Sequence, residues 1–146
     1  MKTRDPHISC ILKKNLTAEI KNLDEYLTLL RLERKALLNQ DIAKLQDYVV
    51  LDRGLSNKLL TINKVNKSFI KIALTRSVLS GEDDNNLKEI KKKYTAALEI
   101  NKANMVLLKS NMVKARKEIA QIKIPRRLGL RTGINMNPPV LIDIKT

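Results

Sequence analysis

Leu30-Arg31-Leu32-Glu33-Arg34-Lys35-Ala36-Leu37-Leu38-Asn39-Gln40-Asp41-Ile42-Ala43-Lys44-Leu45 is the stretch that decides the fold. Upstream of Asn39 the apolar residues fall on one helical stripe. The polar step Asn39-Gln40-Asp41 then offers a stop, and Asp41 is a good N-cap for a new helix starting at Ile42. So short a connection makes the two helices antiparallel neighbours with a shared seam.

Working outward, the spacing predicts a first helix over 9–38, preceded by a leader of residues 1–8 in which Pro6 marks chain that is not yet helical. Its stripe is Leu16, Ile20, Leu23, Leu27, Leu30 and Leu37, in steps of three and four, with Arg34 in the one polar slot. Leu29, Leu32 and Ala36 broaden that stripe enough for more than one neighbour. A second helix is expected from Ile42 to Val78, with one stripe at Ile42, Leu45 and Val49 and another at Leu55, Leu59, Ile62, Phe69 and Ala73. The two are out of phase at Asp52-Arg53-Gly54, where Gly54 costs a helix about 1 kcal/mol relative to Ala and marks a kink or a turn. Asn63 and Asn66 lie near this seam and weaken it unless they find partners.

The stretch 79–86, with Gly81, Glu82, Asp83 and Asp84, reads as a loop whose carboxylates complement the positive end of the next helix. It lacks the alternating ligands and distal Glu of a calcium loop. A third helix is predicted over 85–122, with Tyr94, Leu98, Asn101, Met105, Leu108, Met112, Ala115, Ile119 and Ile122 alternating steps of four and three. Met105 and Met112 would make this seam adaptable, either as core or as a grip for a partner helix. From Pro125 onward, Gly129, Gly133 and Pro138-Pro139 forbid a helix, so 125–146 reads as an irregular C-terminal tail with an apolar end. The expected fold is therefore all-α: a long antiparallel helical hairpin plus a third long helix, forming a three-helix, coiled-coil-like bundle over 9–124.

Composition narrows the chemistry. With one cysteine, Cys10, and one histidine, His7, both in or near the leader, neither an internal disulfide nor a Cys/His catalytic pair can form, and a reducing, cytoplasmic setting is expected. None of the four glycines opens a helix in a phosphate-cradling pattern. No catalytic residues, cofactor or metal site are expected, and no apolar run is long enough to span a membrane. A net charge of +14 attracts nucleic acid, anionic lipid and acidic proteins alike. Nucleic acid is disfavoured as a partner because aromatic residues are only 3% and the basic residues are spread along all three helices.

The corner Leu29-Leu30-Arg31-Leu32-Glu33-Arg34, continuing through Asn39-Gln40-Asp41 to Leu45, resembles the hallmark of the flagellar export chaperones called FlgN. Asn101-Lys102-Ala103-Asn104-Met105-Val106-Leu107-Leu108 is similar to the Asn-rich, then apolar segment of that family's last helix, and the resemblance spans roughly 16–122. It implies a non-enzymatic cytoplasmic chaperone that binds the C-terminal helices of the hook-associated proteins of the hook–filament junction. Such a chaperone prevents their early assembly and delivers them to the flagellar type III export gate. Client-binding residues carried over from the family are Asn101, Met105, Leu108, Met112, Ala115 and Ile119. Two other readings are a chaperone for a different flagellar client, such as the filament cap, and a basic helical protein that binds nucleic acid or another anionic surface.

Overall fold

The structure is a computed structural model and describes residues 6–122. Three helices follow one another, α1 (Pro6–Leu38), α2 (Ile42–Thr75) and α3 (Gly81–Gln121), with no strand among the described residues. The fold is all-α, as the periodicity predicts. α1 begins at Pro6 and so includes residues 6–8 of the leader expected at 1–8, whose residues 1–5 lie outside the described ones; a proline suits the first helical position because its missing N–H has no partner there anyway. The tail expected at 125–146 lies outside the described residues. No helix among the described residues is long and apolar enough to cross a membrane.

Both corners are built from local hydrogen bonds. At the first, the Asp41 N–H donates to the Ala36 carbonyl (2.9 Å) and the Gln40 N–H to that of Leu37 (3.3 Å), with Gln40 at φ 54°. This is a Schellman C-cap with a non-glycine residue in the left-handed position. Asp41 then opens α2, its carboxylate accepting from the Lys44 N–H at 3.1 Å. The second corner repeats the design: Val78 donates to Ala73 (3.0 Å), Ser77 to Leu74 (3.2 Å), and Ser77 has φ 55°. Val78 and Ala73 are both buried, which supplies the apolar contact that accompanies this cap. α2 consequently stops at Thr75, short of the expected Val78.

The loop expected at 79–86 is shorter than predicted. Ser80 and Asp83 form a reciprocal capping box, the Asp83 N–H donating to Ser80 Oγ (3.1 Å) and the Ser80 N–H to the Asp83 carboxylate (3.2 Å). Glu82, Asp83 and Asp84 are thus the first turn of α3, where their charge complements the helix dipole. Gly54 sits inside a continuous α2.

The chain falls into two compact units, Met1–Asn111 and Met112–Thr146, and the helix packing belongs to the first. Contacts between helices give the topology. Glu33 meets Asp52 and Asn15 meets Asn66, so α2 runs antiparallel to α1. Lys13 pairs with Glu82, Asp24 with Lys93, and the Leu30 and Leu37 carbonyls with Asn104 and Asn111, so α3 runs parallel to α1. Leu12, Leu16, Leu23, Leu59, Ala73, Val78 and Ile90 form one apolar cluster, and Leu27, Leu30 and Ala97 a second. Each fully buried leucine contributes about 1.5–3 kcal/mol. Of the predicted α1 stripe, Leu16, Leu23, Leu27, Leu30 and Leu37 are buried and Ile20 is half-buried. Leu29 and Ala36 are buried as well, whereas Leu32 is exposed.

A polar hub joins all three helices at Glu19, which is 1% exposed. Its Oε1 accepts from the Asn66 amide (2.7 Å), and its Oε2 accepts from the Asn63 amide (3.1 Å) and the Tyr94 hydroxyl (2.9 Å). The Asn66 amide also donates to the Asn15 carbonyl at 3.2 Å. The amide N–H groups of Asn63 and Asn66 thus gain acceptors, whereas Asn66 Oδ1 is buried with no hydrogen-bond partner. Burial, then Glu19 as acceptor, holds the Tyr94 hydroxyl well above its ordinary pKa.

Candidate functional site

The third helix carries two faces, and only one is the core. Its buried residues are Asp83, Ile90, Ala97 and Asn104, spaced by seven, and half-buried Asn111 extends the line. Three of these five are polar. Asn104 donates to the Leu30 carbonyl (3.0 Å) and Asn111 to the Leu37 carbonyl (2.9 Å), two side-chain amides one heptad apart gripping α1 backbone one heptad apart. Such bonds set register, because a shift of α3 along α1 leaves the amide N–H groups of buried Asn104 and half-buried Asn111 without acceptors.

The apolar seam with the more regular spacing lies beside that line. In the first unit, Tyr94 turns inward to Glu19, Leu98 is 55% exposed, and Asn101, Met105 and Leu108 are half-buried. None of Leu98, Met105 and Leu108 belongs to either buried apolar cluster. In the second unit Met112 is half-buried and Ala115 and Ile119 are exposed. Written as a heptad, Leu98 and Met105 take a, Asn101 and Leu108 take d, and the core residues Ala97, Asn104 and Asn111 take g. The seam is therefore rotated away from α1 and keeps part of its apolar surface in water.

Its electrostatics are one-sided. Lys102 and Lys109, at e, are exposed and make no ion pair among the described residues. Lys93 differs: it pairs with Asp24 and, at 3.6 Å, with Glu89, and the bond to Asp24 is the main cause that raises its pKa.

A second polar cluster between α1 and α2 escaped the sequence reading. Glu33 is 6% exposed, and burial first, then the hydrogen bond to Asp52 and the charge of that residue, push its carboxyl up to about 9. Its Oε1 has no hydrogen-bond partner, while Ser56 donates to Asp52 at 2.8 Å. Burial raises the nearby Tyr26 hydroxyl too, opposed by its hydrogen bond with Ser56. The signal was present: Glu19 and Glu33 each stand three residues after a stripe leucine, Leu16 and Leu30, at positions a core helix fills with apolar groups. Among the described residues no group of three or more His, Cys, Asp and Glu could hold a metal ion. A shallow groove at the α1–α2 corner is lined by Leu32, Lys35, Ala36, Asp41, Lys44 and Tyr48.

Comparison with protein-family models, with characterised proteins and with solved structures finds no match to this chain.

Proposed function

We propose that this chain is a flagellar type III export chaperone. It holds the C-terminal helical segment of a hook–filament junction protein, keeps it from assembling early and delivers it to the export gate, acting in the cytoplasm without catalysing a reaction. The observation that carries this reading is the part-exposed seam Leu98, Asn101, Met105 and Leu108, whose apolar side chains are not taken up by the buried clusters. The corner motif around Glu33-Arg34 and the Asn-rich start of the seam support it through their resemblance to FlgN. In the second unit, Met112, Ala115 and Ile119 would contact the client as well.

An amphipathic client helix laid on this seam buries apolar anchors of about 1.5–3 kcal/mol each before ordering costs. Met105→Asp or Leu108→Asp is expected to weaken binding by about 100-fold or more while leaving the far-UV helical signal in place. Co-purification with the C-terminal segments of hook–filament junction proteins, washed at high salt, tests the reading. A stoichiometric complex that survives the wash and is lost with Met105→Asp supports it. Loss of the helical signal in these variants would instead assign both residues to the core.

The net charge of +14 favours one competing reading, binding to nucleic acid or another anionic surface. Salt separates the two, because binding through several phosphates weakens by orders of magnitude as salt rises. Apolar anchoring hardly changes.

A further inference from the structure

Resting on the helix-binding reading of the α3 seam, we propose that its partner is an acidic amphipathic helix, one that carries Asp or Glu beside its own apolar stripe. The heptad assignment carries the argument. In a helix pair the a and d residues form the apolar contact, and the flanking e and g residues face the partner's flanks and decide which partner is accepted. On α3 the g side is already used: Ala97 packs on Leu27 and Leu30, and Asn104 and Asn111 hold α1 carbonyls. Selection therefore falls to the e side, which holds Lys102 and Lys109.

Those two lysines are exposed and engage no carboxylate within the described residues. One heptad apart, they project charge at about 10.5 Å intervals along the seam. From Ile100 to Asn111 the chain has no acidic residue at all, and Glu99 stands at b, away from the seam. Whether the incoming helix runs parallel or antiparallel, its flanking residues meet these two ammonium groups. A basic partner would place like charges across a partly desolvated contact, and an acidic one would complete two ion pairs.

The alternatives fit less well. A second copy docked antiparallel on the same seam sets Lys102 and Lys109 against their own counterparts, on a chain whose net charge is +14. For a nucleic acid, the centre of the face is wrong: Leu98, Met105 and Leu108 offer apolar contact, and no aromatic residue follows Tyr94 on α3.

The test uses the full chain and two synthetic amphipathic peptides of about three heptads. Both carry leucine at every a and d position; one has Glu and the other Lys at every flanking position. Fluorescence anisotropy is expected to give binding of the Glu peptide at least about tenfold tighter than that of the Lys peptide at low salt. The preference should narrow at high salt without the Glu peptide being released. Lys102→Glu with Lys109→Glu should reverse the order and leave the helical signal unchanged. Equal binding of the two peptides, or an order that survives the charge reversal, overturns the acidic-partner inference; if Met105→Asp still abolishes binding, the seam remains a helix-binding surface. If neither peptide binds, both the inference and the helix-binding reading fail. Glu-peptide binding that persists in Met105→Asp and vanishes with salt likewise rejects both, leaving a surface that attracts acid by charge alone.

Discussion

Replacing Asn66 with leucine tests whether the Glu19 hub holds the three helices in register. The amide of Asn66, a residue only 1% exposed, donates at 2.7 Å to Glu19 and at 3.2 Å to the Asn15 carbonyl. A hydrogen bond to a carboxylate contributes about 1.5–3 kcal/mol and one to a backbone carbonyl about 0.5–1.5 kcal/mol. The leucine recovers part of this by apolar contact with its surroundings. The expected net loss is about 2–3 kcal/mol, because Glu19 Oε1 is left buried with no donor. Urea unfolding followed by far-UV ellipticity, in wild type and variant, measures it through the midpoint at constant slope. A double variant, Glu19→Met with Asn66→Leu, removes the orphaned carboxyl as well. Glu19→Met also strips Asn63 and Tyr94 of their acceptor, a cost common to the single and double variants, so the cycle isolates the Glu19–Asn66 bond, and the two changes should couple by at least about 1 kcal/mol. Additive effects, or a single-variant loss below about 0.5 kcal/mol, would show that the hub is not the pin described here.

Glu33 makes stability depend on pH. Its folded carboxyl titrates near 9 against an ordinary 4.5, so folding takes up a proton between those values. Stability from this group is complete below about pH 4.5, falls as pH rises through the window by up to about 1.4 kcal/mol per pH unit, and levels off above about 9. Glu33→Gln should flatten the wild-type decline between pH 5 and 9, read from urea midpoints at each pH; an unchanged decline would remove Glu33 as its source. Gln40→Gly should stabilise by about 0.5–1 kcal/mol, since φ 54° is strained for glutamine and free for glycine. Gly54→Ala should stabilise α2 by a similar amount, about 1 kcal/mol, because the position is helical and an added Cβ meets nothing within 4 Å. Thermal midpoints that fall in either variant would contradict these two expectations.

Three helices and their corner at Asn39–Asp41 were legible in the sequence because they depend on interactions within a few residues: the three-and-four spacing of apolar groups, and the Asp41 cap on Lys44. The same locality made Gly81–Asp84 misleading. Glycine and acids signal a loop by composition, but the reciprocal Ser80–Asp83 bonds draw them into the first turn of α3. Likewise Gln40 and Ser77 take a left-handed φ that composition would assign to glycine.

Which face of a helix is core cannot be settled by periodicity, because both faces of α3 repeat. Hydropathy favours Leu98, Met105 and Leu108, yet the inward line runs through buried Asp83 and Asn104 to half-buried Asn111. The deciding groups are far away in the chain: the Leu30 and Leu37 carbonyls lie 74 residues from the amides that bind them. Glu19 depends in the same way on donors 44, 47 and 75 residues distant. Helix formation is set by neighbours along the chain, and so the sequence alone determined it. Only the tertiary structure decided which polar residues are satisfied inside and which apolar ones remain in water, because that choice rests on partners supplied by the other helices.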